Sequence, residues 1–491
     1  MHHDATLAES LGRCPTTMLP MRELLSSIES AWHNEGVAFL NDFVALPAIS
    51  PAFDPHWIDT GGIEGAIELV AQWARHRSIP KLSVKLVRAP KKTPLLIIDV
   101  AASANATTAD TVVFYGHLDK QPAVGPWRDG TDPFRLVTRG DYLFGRGVVD
   151  DGYVAPAVLC ALESLAHQHR PYPRCVLILE ASEESGSPDL QEHLETVVPT
   201  LGRVRAVFAL DSGALNFDHL WITSSLRGNL VLTVTVEVLS QGVHSGEAGG
   251  VVPSSFRILR QLLSRIEDER TGEILPDFLK APIPERFIES AQRLQELLGD
   301  PLATAFPTVE GLSLLGTSAQ ERFLNQTFRP SLALTGIAGV PDPLHAGNVL
   351  RASTTAKISL RIPPTVDAAT ASCQLESLLT LDPPNGAKVR VKSEEPANGW
   401  IAPELSPRVK EALTRAARDV YRGAPQYCGE GGSIPFLSML TDLLPGADLI
   451  ATGAMGQGAN AHGPDENLYL PSAIALSQTL ALTVTQLATE S

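Results

Sequence analysis

Four apolar runs of this chain end in residues that can bind a cation or move a proton. TVVFY at 111–115 leads into Gly116-His117-Leu118-Asp119, and CVLIL at 175–179 leads into Glu183-Glu184-Ser185-Gly186. VRAVFAL at 204–210 leads into Asp211-Ser212-Gly213, and DLIAT at 448–452 leads through a glycine-rich loop to His462. The stretch GRGVVDDG at 145–152 adds Asp150 and Asp151. The inventory is two imidazoles and several carboxylates, without a thiolate. Nitrogen and oxygen donors of this kind suit Zn2+, with Mn2+ or Co2+ as alternatives. Five ligands and a spare Glu exceed what one tetrahedral ion needs, so one carboxylate would bridge two ions about 3.5–4 Å apart. Without such ions, the carboxylates of one crevice would repel each other and raise their pKa values.

Each signal alone has a blander reading. A His-x-Asp is commonly a hydrogen-bonded pair, Asp-Asp-Gly a turn, and Glu-Glu before Ser-Gly a solvated loop. What makes them one site is where the elements put them. The runs at 111–115, 175–179 and 204–210 are short, β-branched and apolar on both faces, the pattern of central strands in a largely parallel sheet covered by helices. Residues 154–167 form the crossover helix that parallel neighbours need. In open α/β sheets, ligands bind outside the carboxyl ends of the strands, where these polar residues fall.

The style of the chain changes twice. Residues 1–90 read as helical and mixed, with helical apolar spacing at 66–75. From about 223 the strands alternate, as in LVLTVTVEV at 230–238 and again at 356–362, which means sheets with one wet face. Turns are expected at 363–364 and 382–386. After about 394 the parallel style returns, with a helix at 406–421. The expected fold is α/β: a catalytic domain with a mixed, mostly parallel sheet, made of 1–223 plus 394–491, interrupted by an α+β domain at 224–393.

At 491 residues, with 44% hydrophobic and 19% charged side chains, the chain can bury a sizeable core and is not a disordered protein. A formal charge of −16 argues against binding nucleic acid, whose phosphates need a basic face. No apolar run approaches the roughly 20 residues of a membrane helix. The N-terminal residues MHHDATLAES carry no signal-peptide pattern, and five scattered cysteines without a CxxC suit a reducing compartment, so a cytoplasmic location is expected. GQGANA at 456–461 lacks the strand–turn–helix of a dinucleotide site, and 431–433 lacks the Gly-Lys of a phosphate loop.

GHLDKQPA, Trp127, LFGRGVVDD, EASEESGSPDL, ALDSG, HSGEAGG and GEGGSIP together resemble the motifs of the co-catalytic zinc peptidases. That family includes carnosine dipeptidases, aminoacylase, carboxypeptidase G, acetylornithine deacetylase and succinyl-diaminopimelate desuccinylase. The resemblance runs in order over about 90–491 and is nearest to the dipeptidase branch. It implies a phosphorylase/hydrolase-like catalytic domain and a lid and dimerisation domain. It also implies two divalent ions, with His117 and His462 as terminal ligands, Asp150 as the bridge, and Glu184 and Asp211 completing the set. Asp119 would hydrogen-bond the first histidine, Glu183 would be the general base, and His244 would reach the partner subunit's site of a homodimer to stabilise an oxyanion. Arg361 would pair with a substrate carboxylate, and Asn348, Gly432 and Ser433 would touch substrate. The chain departs from the family at Gly152, where Lys is common, and at Gly429, where Arg is common. Leu405-Ser406-Pro407 stands where carnosine-cleaving relatives carry His-Pro-His, which argues against carnosine itself.

The expected activity is metal-dependent hydrolysis of an amide bond in a dipeptide or small peptide with a free carboxylate. The alternatives are an N-acyl-amino-acid deacylase using the same site, or a silent metal-binding homologue.

Overall fold

The computed structural model describes residues 15–421, 423–432 and 435–489. They fall into two compact units: one is drawn from 15–222, 403–421, 423–426 and 441–489, the other from 223–402, 427–432 and 435–440.

In the first unit, the run that begins at Thr111 forms the strand Thr111–His117, buried at every position. It lies between Arg174–Glu180 and Val204–Ala209, parallel to both. Asp448–Ala451 adds a further parallel strand beside Val204–Ala209. Strands buried on both faces cannot alternate polar with apolar, which is why their sequences read as continuous apolar runs. Phe114 and Phe208 stack across the parallel pair with ring centroids 5.5 Å apart. Burying each such side chain contributes about 1.5–3 kcal/mol.

The connection between Thr111–His117 and Arg174–Glu180 includes the helix Val154–His167, whose residues Val154–Leu165 are all buried. This is the expected crossover. It packs against the C-terminal helix Leu470–Leu487. At the other edge the sheet turns antiparallel: Leu95–Val100 pairs with Arg174–Glu180, and Leu82–Val87 pairs with Leu95–Val100. The strand Leu82–Val87 differs from the helical and mixed reading of 1–90. LSVKLV alternates because only one face of this outer strand is covered, and its burial alternates with it. The helix expected at 66–75 is there, starting earlier, as Gly62–Arg75.

The second unit is built on an antiparallel sheet in the order Ser331–Ala338, Ser353–Ile362, Gly228–Glu237, Lys388–Ser393. Leu230, Leu232, Val234 and Val236 point one way into a core closed by helices Ser255–Leu263 and Ala368–Thr380. The alternation seen at 230–238 is this one-sided burial. A short antiparallel pair, Val243–His244 with Val349–Leu350, belongs to the same unit. Among the described residues, no helix is long and apolar enough to cross a membrane.

Candidate metal centre

His117 is the last residue of its strand, fully buried. Its Nδ1 donates to the carbonyl oxygen of Asp119 at 3.0 Å, which turns Nε2 toward the crevice. That Nε2 lies 3.0 Å from Asp150 Oδ1 and 3.9 Å from Asp211 Oδ2. On the other side, His462 Nε2 lies 2.9 Å from Asp150 Oδ2 and 3.3 Å from Glu184 Oε2. Two donor sets result, His117–Asp150–Asp211 and Asp150–Glu184–His462, each with its donor atoms within 4.8 Å of one another. Asp150 is common to both, and uses a different oxygen in each.

The electrostatics are those of a crevice with too many anions. Burial and the Asp150 charge push the Glu184 carboxyl up to about 8. Glu183, on the turn Glu183–Ser185, is raised well above the carboxylate range by burial and by Asp211. Burial also opposes the Asp150 charge, yet hydrogen bonds from His117 and His462 hold its carboxyl below the usual range. The same contact, set against burial, carries His462 up to about 9. One oxygen of Glu184, Oε1, is buried without a hydrogen-bond partner, although buried polar atoms are ordinarily satisfied. Oxygen and nitrogen donors in two sets, a shared carboxylate, crowded like charges and an orphaned ligand oxygen all fit a pair of divalent cations.

Asp119 acts differently from the expectation. Its carboxylate Oδ1 stands 3.6 Å from His117 Nδ1, and its main-chain oxygen takes the histidine proton instead. The carboxylate accepts the backbone N–H groups of Glu183 and Glu184, each at 3.1 Å, and so fixes the turn that carries them. The Asp150–Asp151 peptide is cis.

The remaining candidates lie in the second unit. His244 Nδ1 accepts from the N–H of Gly246 at 3.1 Å, so the ring carries its proton on Nε2, as a donor. Asn348 is beside it: its carbonyl accepts from Ser245 N at 2.9 Å, and His244 pairs with Val349 across the two-stranded sheet. Both are exposed. Arg361 is half-buried in Ser353–Ile362, and its burial lowers its pKa. Gly432 is exposed, and Ser433 lies outside the described residues.

Sequence reasoning gave no role to three residues that hold these groups, nor to Arg227 of the second unit. Gln121 Nε2 donates to Glu184 Oε2 at 2.7 Å. Arg146 and Glu466 form a buried ion pair at 2.7 Å beside Asp150. Arg227, whose pKa burial and Arg361 lower to about 10, is held by the carbonyls of Gly431, Asn325 and Arg329. Gln121 and Arg146 stand inside GHLDKQPA and LFGRGVVDD, so a signal was present; Glu466 follows His462 by four residues in a stretch with no motif reading.

Comparison with known proteins gives a family model, described as peptidase family M20/M25/M40, that matches residues 113–486. The chain is similar to a cysteinylglycine-S-conjugate dipeptidase of Corynebacterium striatum, 28% identical over 73% of this chain and 77% of that protein. It is also similar to a beta-Ala-His dipeptidase of Homo sapiens, 26% identical over 77% of this chain and 75% of that one. Among solved structures, the dipeptidase Dug1p of Saccharomyces cerevisiae shares the fold, with a TM-score of 0.75 and 22% identity over 95% of this chain and 98% of the other.

Proposed function

The chain belongs to peptidase family M20/M25/M40 and is a metallopeptidase, and from that premise we propose that it hydrolyses the amide bond of dipeptides or small peptides that end in a free carboxylate. The observation that carries this reading is Asp150, shared between the donor sets of His117 and His462. His117 and Asp211 would hold one divalent ion, Glu184 and His462 the other, with Asp150 common to both. Zn2+ suits these donors best, and Mn2+ or Co2+ are the alternatives. When bound, the ions supply Lewis acidity that acidifies water toward neutral pH and polarises the amide carbonyl.

The protein's own residues do the rest. Glu183 takes the proton of the attacking water and returns it to the leaving amine. Asp119 keeps Glu183 and Glu184 in register through their backbone N–H groups. Arg361 pairs with the substrate carboxylate, orienting as well as binding it. Asn348, Gly432 and Ser433 contact the remainder of the substrate. The insert at 224–393 is read as a lid and dimerisation domain, the sequence ranges 1–223 and 394–491 as the catalytic domain. In the homodimer, His244 of the partner subunit donates to the oxyanion as it develops. The described cysteines, Cys160, Cys175, Cys373 and Cys428, are free thiols, which supports a cytoplasmic location.

The test is a screen of protein reloaded separately with Zn2+, Mn2+ and Co2+ against dipeptides and N-acyl amino acids. A dipeptidase loses activity when the substrate's N-terminus is acylated. Dependence on the acyl group identifies a deacylase instead, and stoichiometric metal without hydrolysis of either class identifies a silent homologue.

A further inference from the structure

Glu466 is fully buried, and its carboxylate collects four donors from one short stretch of chain. Oε2 accepts from Arg146 Nη1 at 2.7 Å and from the N–H of Gly147 at 2.9 Å. Oε1 accepts from the N–H groups of Val149 at 3.1 Å and Asp150 at 3.2 Å. The main-chain oxygen of Glu466 also accepts from Gly145 N at 3.0 Å. The loop that presents Asp150 is thus wound around one anion. Arg146, equally buried, turns its other nitrogen outward from this cradle. Its Nη2 donates to the carbonyl of Gly463, the residue after His462, at 2.8 Å, and to that of Pro122 at 3.3 Å.

A buried ion pair is a weak source of stability, because desolvation offsets its attraction. Its geometry here is better explained by registry. The fork of a guanidinium can reach two partners at fixed angles, where an ammonium acts as a point charge. This fork spans the loop of Asp150, the loop of His462 and the segment that follows His117 and Asp119. We propose that Arg146 and Glu466 are a positioning pair for the two-ion centre, holding Asp150 and His462 at the spacing that both donor sets need. The proposal rests on the two-metal reading given above. It goes beyond that reading by assigning the spacing of the ligands to two residues that touch neither ion nor substrate.

The pair makes a specific demand: because Asp150 is common to both sets, disturbing its cradle weakens both ions together. The experiment is a Zn2+ titration of metal-stripped protein against a chromogenic chelator, with calorimetric melting of the same samples. Glu466→Gln puts an amide in a cradle of N–H groups. It is expected to lower affinity for both equivalents by roughly 10–100-fold, the usual cost of losing a partner that orients a ligand. At saturating Zn2+ its kcat falls while KM stays within about twofold, since the substrate-carboxylate contact is elsewhere. The double variant Arg146→Gln with Glu466→Gln removes the unpaired buried charge, so melting recovers relative to the single variant, but affinity does not. Arg146→Lys keeps the charge balance and still loses the reach to Gly463, so the same weakening is expected where Glu466→Gln does not fold. The proposal is overturned by wild-type affinity in any folded variant, by affinity recovering in step with melting, or by loss of one equivalent alone. Wild-type protein that binds fewer than two equivalents refutes the two-ion reading itself. Two equivalents with unchanged variants refute the pair alone.

Discussion

Replacing Glu183 by Gln separates proton transfer from metal binding. Glu183 belongs to neither donor set, and its structural hydrogen bond, to Asp119 Oδ1 at 3.1 Å, is made by its backbone N–H. Gln has the same shape and keeps that bond, so the turn Glu183–Ser185 and the position of Glu184 survive the change. What is lost is a basic oxygen. General-base catalysis contributes roughly 10²–10⁴ in rate, which at about 1.36 kcal/mol per decade is about 3–5.5 kcal/mol of barrier. Metal content, measured by elemental analysis, should match the wild type, and KM should change little. The pH profile carries a second signature. A base must be deprotonated, so wild-type kcat/KM rises with pH through the pKa of Glu183. That pKa is high without cations because of burial and Asp211, and bound cations lower it. Glu183→Gln should lose this acidic limb along with the rate. A metal-replete variant with kcat within tenfold of wild type, or with the acidic limb intact, removes Glu183 from the role of base.

His244→Ala should lose about 10²–10³ in kcat, the cost of one oxyanion donor, while binding metal normally. Mixed with Glu183→Gln under verified subunit exchange, it should regain up to about half of wild-type dimer activity, because one site of each heterodimer carries neither lesion; mixtures that stay inactive refute sharing of the site. Arg361→Met should lower kcat/KM by roughly 10–150-fold, the equivalent of about 1.5–3 kcal/mol for a charged hydrogen bond. C-terminally amidated substrates should be poor for both proteins, and an equal loss on them argues that Arg361 serves folding instead. The metal-free protein should lose stability as pH rises. Burial and Asp150 hold Glu184 at about 8 in the folded state against 4.5, so the folded state binds its proton more tightly and stability falls over that interval. The hydrogen bond to Asp150 raises His462 to about 9 from 6.5, a contribution complete below the lower value and lost through the upper one. A calorimetric melting temperature that falls between about pH 5 and 9 in chelator, and less steeply with Zn2+, is the expected result; a flat metal-free profile refutes it.

Much of the centre was legible because its signals are local. A buried parallel strand must be apolar on both faces, and the polar residue that ends it, such as His117 or Asp211, is the next thing in the chain. The alternation of Leu230, Leu232, Val234 and Val236 likewise reports a sheet covered on one side. Leu82–Val87 was missed because an alternating six-residue run in a helical neighbourhood becomes a strand only through its partner, Leu95–Val100. For Asp119, two residues from His117 in the chain, which of its oxygens takes the histidine proton depends on the turn at Glu183–Glu184 that claims the carboxylate.

The sequence by itself determined the kinds of donor, their order at the strand ends and the class of chemistry, because composition and period are properties of neighbouring residues. Only the tertiary structure decided that the two oxygens of Asp150 face two different histidines. It also decided that His244 stands beside Asn348, and that Glu466 holds a loop more than three hundred residues away in the chain. Those relations depend on how distant loops close over one sheet end. Hydrogen bonds reach about 3 Å, and no spacing along a chain encodes which remote carboxylate will come that close.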